Sequence, residues 1–249
     1  MGLSAGPQEN GHRPAVDVLF RTAAGAFGPR VVGVVLSGAL DDGAAGLVAV
    51  QSRGGVGVAQ HPVDALHEGM PSSAIEAANP PHVLPVAEIA DLIVKLTREP
   101  IDVDDAPPPS PLLQTEAALA TLEPGALHDD DRPGQPSGFS CPDCHGVLYS
   151  IDDSPLLRFR CRVGHAWSAR GLLAEQGSAL EGALWMALRS LEEKVALARQ
   201  LAHRAQQQGH VLTATRFSSQ AEDAHAAAEL IRKLLDPDIE EATSAEGHR

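Results

Sequence analysis

Val31-Val32-Gly33-Val34-Val35-Leu36-Ser37-Gly38-Ala39-Leu40-Asp41-Asp42-Gly43-Ala44-Ala45-Gly46 decides the fold. An apolar β-branched run ends at Leu36, a turn rich in Gly and Asp follows, and the Ala-rich stretch from Gly43 to Gln51 reads as helix. Val56-Gly57-Val58-Ala59 repeats the apolar run. Strands buried on both faces need continuous rather than alternating apolar residues, so Arg30 to Arg98 carries the pattern of βαβ units and a parallel sheet. A preceding helix is expected from Pro14 to Phe27, with Pro14 in its first turn and Val18, Leu19 and Ala23 on one face. Further helices are expected from Pro71 to Ala78 and from Val86 to Thr97. Two or three strands make a marginal free-standing core, so the pattern reads as part of an α/β parallel sheet.

The rest of the 249 residues is organised differently. Positions 1–13 read as a flexible start, 14–98 as the partial α/β domain, and 99–138 as an acidic Pro-rich linker. Between 101 and 131 there are eight acidic residues and no Lys or Arg, the composition of a solvated linker, with a short helix around Gln114 to Leu122. Positions 139–167 hold all three cysteines. From 168 to 236, Leu180, Leu184, Leu188, Leu191, Val195, Ala198 and Ala202 form one apolar stripe. Ala214, Phe217, Ala221, Ala224, Ala228 and Ile231 form a second after the break at Gly209-His210, which together predict an antiparallel helical hairpin. Such a hairpin either packs on itself or offers a coiled-coil surface for a second copy or another helical partner. Positions 237–249 read as a flexible tail.

Charge and composition exclude whole classes of partner. Nineteen Lys and Arg against 33 Asp and Glu give a net charge of −14, and aromatics are 3% of residues. Neither a field for phosphate backbones nor a base-stacking platform is available, so nucleic-acid binding is not expected. No apolar run approaches the ~20 residues a membrane span needs, and the first residues lack a secretory pattern. The expected location is cytoplasmic.

Cys141, Cys144, Cys161 and His165 spell C-x2-C-x16-C-x3-H. Zinc takes a tetrahedron of thiolate and imidazole ligands, and each short gap lets one tight turn present two of them. Val147 to Tyr149 and Leu156 to Phe159 read as two strands that bring the turns together, as in a zinc ribbon. With four protein ligands the expected zinc is structural rather than catalytic. Cys141 to His145 also spells the c-type haem attachment motif, which would require export. A redox C-x-x-C would leave Cys161 and His165 without a role. His145 is a poorer fourth ligand because it adjoins Cys144.

The carboxyl end of a parallel strand is where open α/β sheets gather their chemistry. An Asp in that turn can orient a histidine in a Ser-His-Asp arrangement or can serve as a helix N-cap. HRPAVDVLFRTAAGAFGPRVVGVVLSGALDDGAAGLVAV, with AQHPVDALHEGMPSSAIEAA after it, resembles the C-terminal half of the esterase domain of the chemotaxis protein-glutamate methylesterases, the CheB family. The resemblance spans Gly6 to Arg98 and implies a doubly wound α/β fold. It also implies a signalling role in which glutamate methyl esters on chemoreceptors are hydrolysed to release methanol. The remainder is similar to the extension of members that lack a phosphorelay receiver domain.

Carried over by motif, the triad acid falls on Asp42, and Asp41 is its neighbour. Where the family has Thr-Gly-Met, this chain has Ser37-Gly38-Ala39. The resemblance puts the nucleophilic Ser and the base His upstream of any matching position here. Ser4, in Gly2-Leu3-Ser4-Ala5-Gly6, imitates the nucleophile turn but has no strand before it, and His12 and His61 do not match the family histidine. The chain alone is therefore expected to be inactive, with a methylated chemoreceptor or similar signalling protein as the implied partner. The alternative is a non-catalytic, zinc-stabilised signalling scaffold that binds a partner or pairs with itself through the hairpin.

Overall fold

The computed structural model describes residues 4–103, 106–123, 134–151 and 155–236. These form two compact units, 1–174 and 175–249.

The first unit opens with helix α1 (Val16–Phe27) and strand β1 (Val32–Val35). Helix α2 (Ala44–Ser52), strand β2 (Val56–Gln60), helix α3 (Gly69–Ala78), strand β3 (His82–Leu84) and helix α4 (Val86–Leu96) follow. The three strands are parallel in the order β1-β2-β3, with Val32 opposite Val56 and Val58 opposite His82. This is the expected α/β pattern. The third strand is only three residues long and carries a His, which hid it from a hydropathy reading.

Small residues let the layers close. Phe20, Ala24, Val35, Leu47, Val50 and Ala74 form one buried cluster. At Gly46 an added Cβ would lie 2.7 Å from the Phe20 Cβ and 3.0 Å from the Asp17 Cα, so α1 and α2 cross with no room for a side chain. Gly43 has φ +93° and its missing Cβ would meet the Val16 side chain at 2.9 Å, so the Asp42-Gly43 turn both needs the left-handed conformation and lies against the start of α1.

The acidic segment differs from its composition. Within it, α5 (Pro111–Ala120) is capped by the Ser110 hydroxyl, which accepts from the Leu113 amide, and Leu113, Glu116 and Leu119 are buried. The i, i+3, i+6 spacing places Glu116 between two leucines on the packed face, and an acid count cannot show that it is paired. The start of the chain is likewise ordered where described: Glu9 and Asn10 are buried, and Glu9 bridges to Ala166. The extended start and the α5 helix are thus held by tertiary packing, which overrides local composition.

Strands β4 (Pro136–Ser140), β5 (Val147–Ile151), β6 (Arg158–Cys161) and β7 (Ala166–Ser168) make an antiparallel sheet in that order. Leu148 pairs with Cys161 and Phe159 with Trp167. Cys141, Leu148, Phe159, Cys161, Trp167 and Leu172 form the second buried cluster.

The second unit contains α6 (Ala169–Gln207), which begins in the first, and α7 (Val211–Leu234). Leu188, Val195, Ala198 and Ala202 are buried, as are Ala214, Ala221, Ala224 and Ala228, in keeping with an antiparallel hairpin. The expected stripe does not continue in the buried state to its beginning: Leu180 is 63% exposed. At 39 residues against 24, α6 outruns α7 and its early turns lack that partner.

Candidate functional site

Asp42 lies in the turn leaving the carboxyl end of β1. Its Oδ2 accepts the Val16 amide at 2.8 Å and its Oδ1 accepts the Asp17 amide at 3.0 Å. Both amides belong to the first turn of α1, so the carboxylate caps a helix from 25 residues away in sequence and sits in the positive end of its dipole. Each oxygen retains a second lone pair, the capacity an imidazole N–H would need. Among the described residues, no histidine ring or serine hydroxyl hydrogen-bonds Asp42.

The neighbouring acids are set apart by environment. Asp41 is buried, and its Oδ1 accepts the Ser168 hydroxyl at 2.8 Å; burial raises its pKa above the usual carboxylate range. Asp17 is buried too, and desolvation pushes its pKa up to about 7 despite the nearby Arg21 cation and a 2.6 Å bond from the Gly46 amide. Ser168 and Trp167 line a space of about 10 Å³ with Asp17 and Asp41, room for a single water and for no substrate group. The open side lies at the carboxyl ends of β1 and β2, where Leu36 and Leu40 are 42% exposed and Val63 and Leu66 nearly fully so. There the two loops are tied together: the Gly38 amide donates to the His67 carbonyl and the His67 amide to the Ser37 hydroxyl.

The other candidate residues are elsewhere. The Ser4 hydroxyl donates to the Ala120 carbonyl at the end of α5. His12 is exposed, with Nδ1 against the Asn10 carbonyl. His61 is exposed and accepts the Val63 amide.

Residues 2–93 match the CheB methylesterase family model. This stretch is CheB-family esterase sequence. It is similar to protein-glutamate methylesterase/protein-glutamine glutaminase 4 of Anaeromyxobacter dehalogenans, 44% identical over 97 residues that cover 39% of this chain and 27% of the relative. It is similar to the Pyrococcus abyssi protein-glutamate methylesterase/protein-glutamine glutaminase, 41% identical over 93 residues, 37% of this chain and 25% of that one. A Leptospira interrogans relative is matched over 100 residues at 40% identity, 40% of this chain and 52% of its own length. The chain therefore spans between a quarter and about half of these curated relatives. Among solved structures, the Thermotoga maritima CheB methylesterase catalytic domain is 33% identical, with a TM-score of 0.34, over 35% of this chain and 46% of that domain.

Beyond the CheB stretch, Cys141, Cys144, Cys161 and His165 come together, their ligand atoms all within 4.8 Å of one another. Cys144 Sγ to Cys161 Sγ is 3.6 Å, Cys161 Sγ to His165 Nδ1 is 3.6 Å and Cys141 Sγ to His165 Nδ1 is 3.8 Å. A tetrahedron with metal–sulfur bonds of about 2.3 Å has edges of about 3.8 Å, so the donor set can hold one metal ion. Two turns build it. The Cys141 amide donates to the Gly146 carbonyl and the His145 amide to the Cys141 carbonyl, with His145 itself at φ +59° and outside the cluster. The Cys161 amide donates to the His165 carbonyl, closing the second turn through Gly164 at φ +105°. Burial pushes the Cys141 thiol up to about 12, so a metal must displace a firmly held proton there.

Sequence reasoning missed the charges behind this sheet. Glu9, Arg21, Glu116, Arg158 and Arg160 form a cluster in which none is more than 7% exposed. Arg160 reaches Glu9 at 3.0 Å and Glu116 at 2.6 Å, Arg158 reaches Glu116 at 2.9 Å, and Arg21 pairs with Glu9. Burial opposes both glutamate charges, yet the arginines outweigh it and hold Glu9 and Glu116 below the usual carboxylate range. The period-2 alternation Arg158-Phe159-Arg160-Cys161 was the available signal: one face of β6 carries guanidiniums and the other carries the apolar and thiol groups.

Proposed function

We propose that residues 14–98 supply the acid half of a protein-glutamate methylesterase site. In that site Asp42 would orient a histidine and steady its imidazolium while a serine attacks a glutamate methyl ester on a chemoreceptor or similar signalling protein, and methanol leaves. The observation that carries this reading is Asp42 at the carboxyl end of a parallel strand, inside CheB-family sequence and beside an exposed apolar loop surface. Its cap on α1 supports the role, because two backbone amides fix the carboxylate's direction while leaving lone pairs for an imidazole. The serine and the histidine have no matching positions in these 249 residues, so this chain alone does not turn over the ester. A methanol-release assay on a methylated chemoreceptor tests this, and background release is expected. Turnover that survives Ser4→Ala but not Asp42→Asn would overturn the reading that the other two groups lie outside these residues.

The four-ligand cluster fits zinc, which would supply cross-linking of two turns rather than chemistry on a substrate. Cys141, Cys144, Cys161 and His165 would hold it, giving a zinc-ribbon-like module.

A second reading is favoured by α6, where Leu180, Trp185 and Met186 are each more than half exposed. In it, this exposed stretch of α6 binds a second copy of the chain, and the protein is a zinc-stabilised scaffold. Light scattering that returns a monomer at all concentrations would remove it.

A further inference from the structure

We infer that metal binding at the Cys3His cluster is coupled, through Arg160 and Ser168, to the turn that carries Asp41 and Asp42. The inference rests on the metal reading above. It concerns what the metal controls.

Arg160 is the residue before Cys161, and its guanidinium faces away from the thiol cluster. One Nη donates to the Gly164 carbonyl at 2.7 Å, inside the same turn that presents Cys161 and His165. The other donates to Glu9 and Glu116. One side chain thus ties the second ligand turn to the start of the chain and to α5. Without a metal that turn is held by Arg160 and by two backbone bonds, Cys161 amide to His165 carbonyl and Gly164 amide to Cys161 carbonyl. With a metal, Cys161 and His165 are fixed to the first turn as well.

The strand after the turn continues the connection. The Asn10 amide donates to the Ala166 carbonyl, and the Ser168 amide donates to the Asn10 side chain at 2.7 Å. The Ser168 hydroxyl then donates to Asp41, next to Asp42. Two residues on, Arg170 donates to the Ser73 hydroxyl at 2.9 Å, and Ser73 donates to the Leu40 carbonyl in the same acid turn. Every link is a hydrogen bond, and the groups that reach across, Ser168 and Arg170, lie in or directly after β7.

Buried charges make the coupling steep. A buried ion left without its partner is strongly disfavoured, so the cluster tolerates little displacement of Arg160. A metal that holds Cys161 in place therefore favours the arrangement in which Arg160 meets both glutamates and Ser168 meets Asp41. By reciprocity, loosening the glutamate side must weaken metal binding by the same factor.

The test uses the full chain. Cobalt(II) and zinc are titrated by thiolate absorption and chelator competition, and amide exchange is measured with and without zinc over residues 9–21, 36–43 and 111–120. Zinc is expected to slow exchange in all three regions, none of which contains a ligand. Glu116→Gln, outside both the metal cluster and the acid turn, is expected to weaken zinc by at least about fivefold with an unchanged cobalt spectrum. Slower exchange confined to 136–168, together with unchanged affinity in Glu116→Gln, would overturn the coupling and leave the metal reading standing. No cobalt thiolate band would overturn the metal reading itself. If Glu116→Gln does not fold, the zinc-dependent exchange of the unsubstituted chain decides alone.

Discussion

Asp41 and Asp42 adjoin in the turn and the Asp17 amide donates to Asp42, yet the structure gives each carboxylate a different task. Asp42 caps α1, so Asp42→Ala is expected to cost about 1–2 kcal/mol of unfolding free energy whatever its role in chemistry, measurable by urea denaturation. Asp17 has its pKa raised from 3.8 to about 7, so the folded state binds a proton that the unfolded state has lost. Its contribution therefore falls as pH rises from about 4 to about 7, and above that range the buried charge is a constant penalty. We expect Asp17→Asn to raise the midpoint of thermal unfolding at pH 8 relative to the unsubstituted chain and to leave it unchanged near pH 3.5. Glu9 and Glu116 work in the opposite sense. Their folded pKa values lie below the ordinary 4.5, so their stabilisation is complete above that pH and is lost as pH falls through the folded values.

At the scale of elements, the crossing of α1 and α2 depends on Gly46. Gly46→Ala is expected to destabilise the chain by about 1–3 kcal/mol in the same denaturation experiment, because the new methyl meets backbone as well as the Phe20 side chain. Runs such as Val31 to Leu36 and Val56 to Ala59 made the parallel strands legible, since an apolar run bounded by turns has few other readings. The convergence of Cys141, Cys144, Cys161 and His165 was legible for a similar reason: their spacing is a local property, and two short turns bring them together. The docking of α5 was not. Eight acids without a base look solvated unless one knows that Arg21, Arg158 and Arg160 converge from elsewhere on Glu116, and no local pattern encodes a partner over 40 residues away. Asp42 was visible as a candidate, but its bonds to α1 depend on the turn folding back on a helix already passed in sequence. The apolar stripe of α6 was legible as a period, but which of its residues are covered depends on the length of the partner helix: α7 is the shorter, and Leu180 is 63% exposed.

At the scale of the molecule, the first unit joins a CheB-family stretch to an antiparallel sheet through buried ion pairs, and the second is a helical hairpin. Among the described residues, no helix is long and apolar enough to cross a membrane. Removing metal with a chelator is expected to lower the thermal midpoint of the first unit, read from the fluorescence of Trp167, while the helical signal of the hairpin persists. Trp167 packs with Cys141 and Cys161, and the measurement is made on Trp185→Phe, which removes the other fluorophore, in the second unit. The central claim is that Asp42 is the acid of an esterase site whose serine and histidine lie outside these residues. Its most direct test is a chimera in which residues 14–98 replace the matching stretch of the Pyrococcus abyssi relative, assayed for methanol release from a methylated chemoreceptor. The account predicts that the chimera releases methanol, that Asp42→Asn reduces the rate on the order of 10⁴-fold, and that Asp41→Asn leaves most of it. A folded, active chimera that keeps its rate in Asp42→Asn would contradict the account.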